Sequence, residues 1–128
     1  MFLKDYLADL TGTITEYTQT GLIQSSDITT AFRTDKIGLL QGRIVFLDGS
    51  TLFFKEYLDV RYRLDKKAYS FHYQDVQATL RFRYDNAFHK PALGFTDHKH
   101  LGQEIIPADI PELQGILEEI IQAYFSEE

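Results

Sequence analysis

Between residues 67 and 84, large apolar and polar side chains alternate with a period of two. Tyr69, Phe71 and Tyr73 alternate with Ser70, His72 and Gln74; Leu80, Phe82 and Tyr84 alternate with Arg81, Arg83 and Asp85. Successive side chains of an extended chain point to opposite faces. The segment is therefore committed to strands with one apolar and one polar face, because a helix would scatter these residues around its circumference. The spacing predicts strands at 67–74 and 78–84, joined near Asp75-Val76-Gln77. Upstream it predicts strands at 28–34, 38–47 and 51–60. Asp48-Gly49 is a strong hairpin signal between the last two, and Asp65-Lys66-Lys67 is a further turn. In the third strand Leu52, Phe54, Leu58 and Val60 share a face. Glu56 falls on that same apolar face by parity, where a carboxylate needs a partner. Arg83 or a histidine is the expected one.

Two amphipathic helices flank these strands. Leu3, Tyr6, Leu7, Leu10, Ile14 and Tyr17 recur at three and four residues, which predicts a helix over 3–18, ending by Gly21. Ile110, Leu113, Ile116, Leu117, Ile120, Ile121, Tyr124 and Phe125 keep the same spacing, with Asp109 as the expected cap and Pro111 in the first turn. A short extended piece is expected at 104–106. The fold class is α+β in a single domain over residues 1–128: an antiparallel meander of about five strands with both helices on one face. The other face is expected to be more polar. With 44% hydrophobic residues the chain can build a core, and with no cysteine it has neither disulfides nor thiolate chemistry. No apolar run approaches the roughly 18 residues of a membrane span. The expected setting is the cytoplasm, with no membrane partner.

Charge and histidine concentrate in one stretch. The net charge is -6, yet residues 61–100 carry 8 basic and 4 acidic groups, whereas residues 101–128 carry 7 acidic groups and no Lys or Arg. All four histidines, His72, His89, His98 and His100, fall in the positive stretch. A local positive surface on an acidic protein can still meet phosphate. By strand parity His72, Arg81, Arg83 and Asp85 share the polar face, and Asp85 leads into a loop holding His89, His98 and His100.

These residues resemble a known family. Asp48-Gly49-Ser50, Glu56-Tyr57, Tyr69-Ser70-Phe71-His72-Tyr73, Phe82-Arg83-Tyr84-Asp85-Asn86-Ala87 and His98-Lys99-His100, in this order, are similar to the small prokaryotic TumE-type toxins. The resemblance spans roughly residues 37–121. It implies the toxin half of a toxin–antitoxin module, with a helix-turn-helix antitoxin as partner. The chain departs from the usual pattern at Phe88-His89-Lys90 and at Asp97, where each cluster lacks one histidine.

Three chemistries fit the cluster. The first is a metal-independent ribonuclease, which needs a base for the 2′-hydroxyl, an acid for the leaving oxygen and a cation for the developing phosphate charge. Its catalytic candidates are His72, Arg83, Asp85, His89, His98, Lys99 and His100; Arg81, Asn86, Phe88 and Glu56 are the candidate substrate contacts. The second is a divalent metal, zinc or manganese, held by Asp85, His89, His98 and His100 in place of a cofactor-free site. The third is a non-catalytic interaction protein whose acidic C-terminal helix and polar sheet face meet a partner or a second copy. Gly38 and Gly42 are too sparse for a phosphate-binding loop.

Overall fold

A computed structural model describes residues 1–88 and 93–126. Helix α1 spans Leu3–Thr18. Seven strands follow: β1 Ile23–Phe32, β2 Ile37–Phe46, β3 Thr51–Asp59, β4 Asp65–Gln74, β5 Leu80–Asp85, β6 His98–Leu101 and β7 Glu104–Pro107. Helix α2, Leu113–Ile120, runs on into a wider π turn at Ile121–Phe125. The strands pair in chain order as one antiparallel meander.

The expected α+β layout is the observed one, with two strands more than the alternation predicted. Of the added pair, β6 comes from the segment read as a histidine loop, and β7 from the short extended piece expected at 104–106. Alternation is hard to see in strands of four residues whose polar positions carry charge and imidazole. β6 is recruited by pairing with β5, Asp85 opposite His98 and Arg83 opposite His100.

One face of the sheet is covered by both helices. Leu40, Ile44 and Phe46 of β2, Leu52, Phe54 and Leu58 of β3, Phe71 and Tyr73 of β4, and Phe82 of β5 are buried. Leu10 and Ile14 of α1 and Leu113, Ile116, Leu117 and Ile120 of α2 are buried among them. Two glycines have structural reasons. Gly49 closes the β2–β3 hairpin at φ +84°, a conformation L side chains rarely adopt. Gly42 lies opposite Phe54, and a Cβ there would sit 2.1 Å from the Phe54 ring.

Helix α2 begins later than its apolar spacing suggests. Glu112, extended at φ −109°, precedes the first helical residue, and Pro111 lies outside the helix. Asp109 is therefore not its cap. An anchor precedes the helix: the Pro111 carbonyl accepts a 2.7 Å hydrogen bond from Lys66 Nζ on β4.

The same lysine resolves the odd glutamate. Glu56 is 1% exposed. Its Oε1 accepts a 2.6 Å hydrogen bond from the Tyr6 hydroxyl, and its Oε2 lies 2.7 Å from Lys66 Nζ. The Oε2 contact is an ion pair without a directed hydrogen bond. The expected partner, Arg83 or a histidine, is ruled out by parity, because those side chains leave β4 and β5 on the other face. Lys66 reaches the apolar face because the register shifts between Tyr57 and Leu58, which puts Lys66 opposite Leu58. Burial, then the Glu56 charge, pushes the Tyr6 phenol well above its ordinary range, so it stays a hydrogen-bond donor.

Removing one member of a buried pair strands the other. Lys66→Met should lower stability in urea unfolding by about 3–5 kcal/mol, and Glu56→Leu combined with Lys66→Met should recover most of that loss. A single variant as stable as the parent would show that the pair is not desolvated.

Candidate functional site

Strand register assembles the open face of the sheet into rows that run across the strands. One row reads Arg43, Phe53, His72, Arg83, His100, each directly opposite the next on adjacent strands. The neighbouring row reads Gln41, Lys55, Ser70, Asp85, His98. His72, Arg83 and His100 are thus neighbours, though 28 residues of chain separate the two histidines.

Asp85 organises this cluster. It is 3% exposed. Its Oδ1 accepts from the Ala87 amide at 2.9 Å and lies 2.8 Å from His98 Nε2. Its Oδ2 accepts from Arg83 Nε at 2.9 Å and lies 3.4 Å from His100 Nε2. Burial is the strongest single influence on this carboxyl and opposes ionisation. The Ala87 amide, the Arg83 hydrogen bond and the nearby His98 and Arg83 charges together outweigh it, and hold the group below the usual carboxylate range.

The three imidazoles differ in their bonding. His98 is fully buried, and its Nδ1 lies 2.7 Å from the Thr96 carbonyl. A carbonyl only accepts, so Nδ1 carries a hydrogen. Its Nε2 faces the Asp85 carboxyl. His98 is therefore an anchor, with both nitrogens engaged. His72 is the opposite case. Its Nδ1 lies 3.3 Å from Arg83 Nη1, and a guanidinium only donates, so Nδ1 presents its lone pair. Its Nε2 then donates to Gln74 Oε1 at 2.9 Å. His100 directs Nε2 at Asp85, with its ring centroid 4.9 Å from that of His98. Asp85, His98 and His100 also place three ligand atoms within 4.8 Å of one another, a spacing a metal ion could bridge.

Other expected site residues lie elsewhere. The Lys99 side chain leaves β6 on the helix side, donates to Glu119 Oε2 at 2.9 Å and stands over the Tyr84 ring. Arg81 is displaced by a bulge, since Tyr73 pairs with Phe82 but Gln74 pairs with Leu80. Its guanidinium lies 4.3 Å over the Tyr124 ring and donates to the Tyr73 hydroxyl at 2.8 Å, so it does not join Arg83 on the open face. Asn86 bridges to β4, accepting from the Tyr69 amide and donating to the Lys67 carbonyl. Glu56 is on the helix side, as described. Phe88 is exposed and lines a separate hollow with Leu93 and Phe95. His89 and Lys90 lie outside the described residues. The acidic face expected on α2 is largely engaged internally: Tyr17 donates to Glu118, and Tyr84 and Lys99 donate to Glu119.

Parity applied to β2 and β3 would have found further open-face residues. Arg43, Phe53 and Lys55 sit beside the cluster, and Phe53 is 41% exposed.

The depressed carboxyl of Asp85 has a pH signature. Its stabilising contribution is complete above the unfolded value of about 3.9 and is lost as pH falls through the lower folded value. The stability gap between the parent and Asp85→Asn should narrow as pH falls below about 4, measured by urea unfolding across the acid range. A gap independent of pH would show that Asp85 is not held ionised.

Among the described residues no helix is long and apolar enough to cross a membrane. No curated protein sequence and no solved structure matches the chain. A family model described as Toxin TumE matches residues 13–127, taking in every strand and both rows of the open face. A match over nearly the whole length settles the family: the chain belongs to the TumE toxins.

Proposed function

We propose that this toxin is a metal-independent ribonuclease whose reaction centre is the His72–Arg83–His100 row. One observation carries the reading: two imidazoles in different bonding states flank a half-exposed guanidinium on adjacent strands. Strands about 4.8 Å apart set the two histidines on the strands either side of Arg83. Arg83 Nη2 has no acceptor among the described residues and is available to a phosphate oxygen.

The chemistry follows from the bonding. As Arg83 turns its Nη1 from His72 to the bound phosphate, His72 Nδ1 takes the proton of the 2′-hydroxyl, and the freed oxygen attacks phosphorus. Arg83 neutralises the charge that develops on the phosphorane oxygens. The 5′-oxygen leaves with a proton from the His100 ring, which Asp85 orients through its contact at Nε2. The products are a 2′,3′-cyclic phosphate and a 5′-hydroxyl. Asp85 and His98 position the row without touching substrate. An antitoxin of the helix-turn-helix kind, encoded beside the toxin and acting with it in the cytoplasm, fits this reading. The Asp85–His98–His100 spacing supports a second reading, a metal-assisted reaction, which the same experiment separates.

The purified protein should cleave single-stranded RNA in the presence of EDTA and leave 2′,3′-cyclic phosphate ends. His72→Ala and His100→Ala should each slow cleavage by about 10²–10⁴-fold and relieve growth inhibition while retaining the parent's unfolding midpoint. Cleavage abolished by EDTA and restored by zinc or manganese would replace this reading with the metal one. Full growth inhibition by the doubly substituted protein would overturn catalysis at this row.

A further inference from the structure

The open face continues well beyond the reaction centre. A groove of about 530 Å³ runs over β1–β5, lined among others by Thr29, Gln41, Arg43, Phe53, Lys55 and Ser70, and it reaches His72 and Arg83. Lys55 has no ion pair among the described residues. Arg43 pairs at 3.1 Å with Asp27, both side chains more than half exposed. An exposed pair of this kind is worth at most about 1 kcal/mol, so a phosphate can compete for the guanidinium. Phe53 presents its ring on this face with the His72 ring 6.2 Å away, edge-on. Asp27 is the acidic group of the lining and stands at the β1 end.

We propose that this groove is the substrate track of the toxin, and that it takes a single-stranded RNA lying across the strands. The proposal rests on the ribonuclease reading and adds to it the binding surface and the strandedness of the substrate. Four strand-to-strand steps separate Arg43 from His100 in the register, about 19 Å at 4.8 Å per step. That length accommodates several extended nucleotides. Phe53 is the base platform, since an exposed aromatic on a sheet stacks unpaired bases and a duplex keeps its bases stacked on one another. Lys55 and Arg43 hold phosphates on the β1 side, and Arg83 holds the scissile phosphate. Asp27 repels the backbone and marks the end of the track. Charge complementarity selects a polyanion, and the lone exposed ring among the cations selects one with free bases.

The test uses an uncleavable 2′-O-methyl single strand of about ten nucleotides, within the usual range of such sites, and follows binding by fluorescence anisotropy. Phe53→Leu, which keeps apolar volume but removes the ring, should weaken binding about 5- to 100-fold. Lys55→Ala should weaken it and reduce the salt dependence by about 0.7 in log–log slope. A duplex of the same sequence should bind more weakly to the parent and be indifferent to Phe53→Leu. The parent's cleavage of a dinucleotide, followed alongside, reports on the reaction centre apart from the length of the track. Unchanged affinity of both variants, with the dinucleotide still cleaved, would overturn the track and leave the ribonuclease reading standing. A parent that cleaves neither RNA nor dinucleotide would overturn both.

Discussion

The buried contact between Glu56 and Lys66 is the joint on which the layers depend. A carboxylate and an ammonium that have left water must face each other, or the layer around them opens. Their geometry satisfies this by drawing on four parts of the chain. Tyr6 brings α1, Glu56 brings β3, Lys66 brings β4, and the Pro111 carbonyl brings the approach to α2. The apolar stripes of the two helices supply most of the burial, but apolar burial has no direction. The polar joint supplies direction: it sets where α1 crosses the sheet and where α2 can begin. The register shift at Tyr57/Leu58 is what turns Lys66 inward to meet the glutamate.

With the helices held to one side, the other face of the sheet stays open, and a second carboxylate organises its side chains. Asp85 is buried like Glu56, yet it is balanced by groups of graded exposure: a backbone amide, a buried histidine, a half-exposed arginine and a partly exposed histidine. The buried partners fix its place, and the exposed ones are those the proposed reaction assigns to the substrate. In the proposed reaction this division makes His98 an anchor and His72 and His100 the chemical pair, a distinction composition alone could not draw between three histidines.

Sheet register also explains which sequence expectations moved. Lys99 and Arg81 are cations in the positive stretch and on paper belong with Arg83. Lys99 alternates to the helix side once residues 98–101 form a strand, and it meets Glu119 there. Arg81 is the extra residue of a bulge, and its guanidinium turns to Tyr73 and Tyr124. In both cases the charge serves packing of the C-terminal helix. Arg43, Phe53 and Lys55, from strands with no histidine to draw the eye, instead take their places in the rows beside His72.

The sequence by itself determined the α+β class, the limits of α1, the hairpin at Asp48-Gly49, and the parity that sends His72, Arg83 and Asp85 away from the core. All of these are local consequences of side-chain period and turn chemistry within a few residues. Its own motifs also pointed to the toxin family that the chain belongs to. Only the tertiary structure decided that His98 and His100 stand on a strand, that Glu56 pairs with Lys66, and that Arg81 and Lys99 face the helices. These depend on pairing between distant segments and on single-residue register shifts, where one slip moves a side chain to the opposite face. No local pattern encodes such a slip, because its energy comes from contacts made across the sheet.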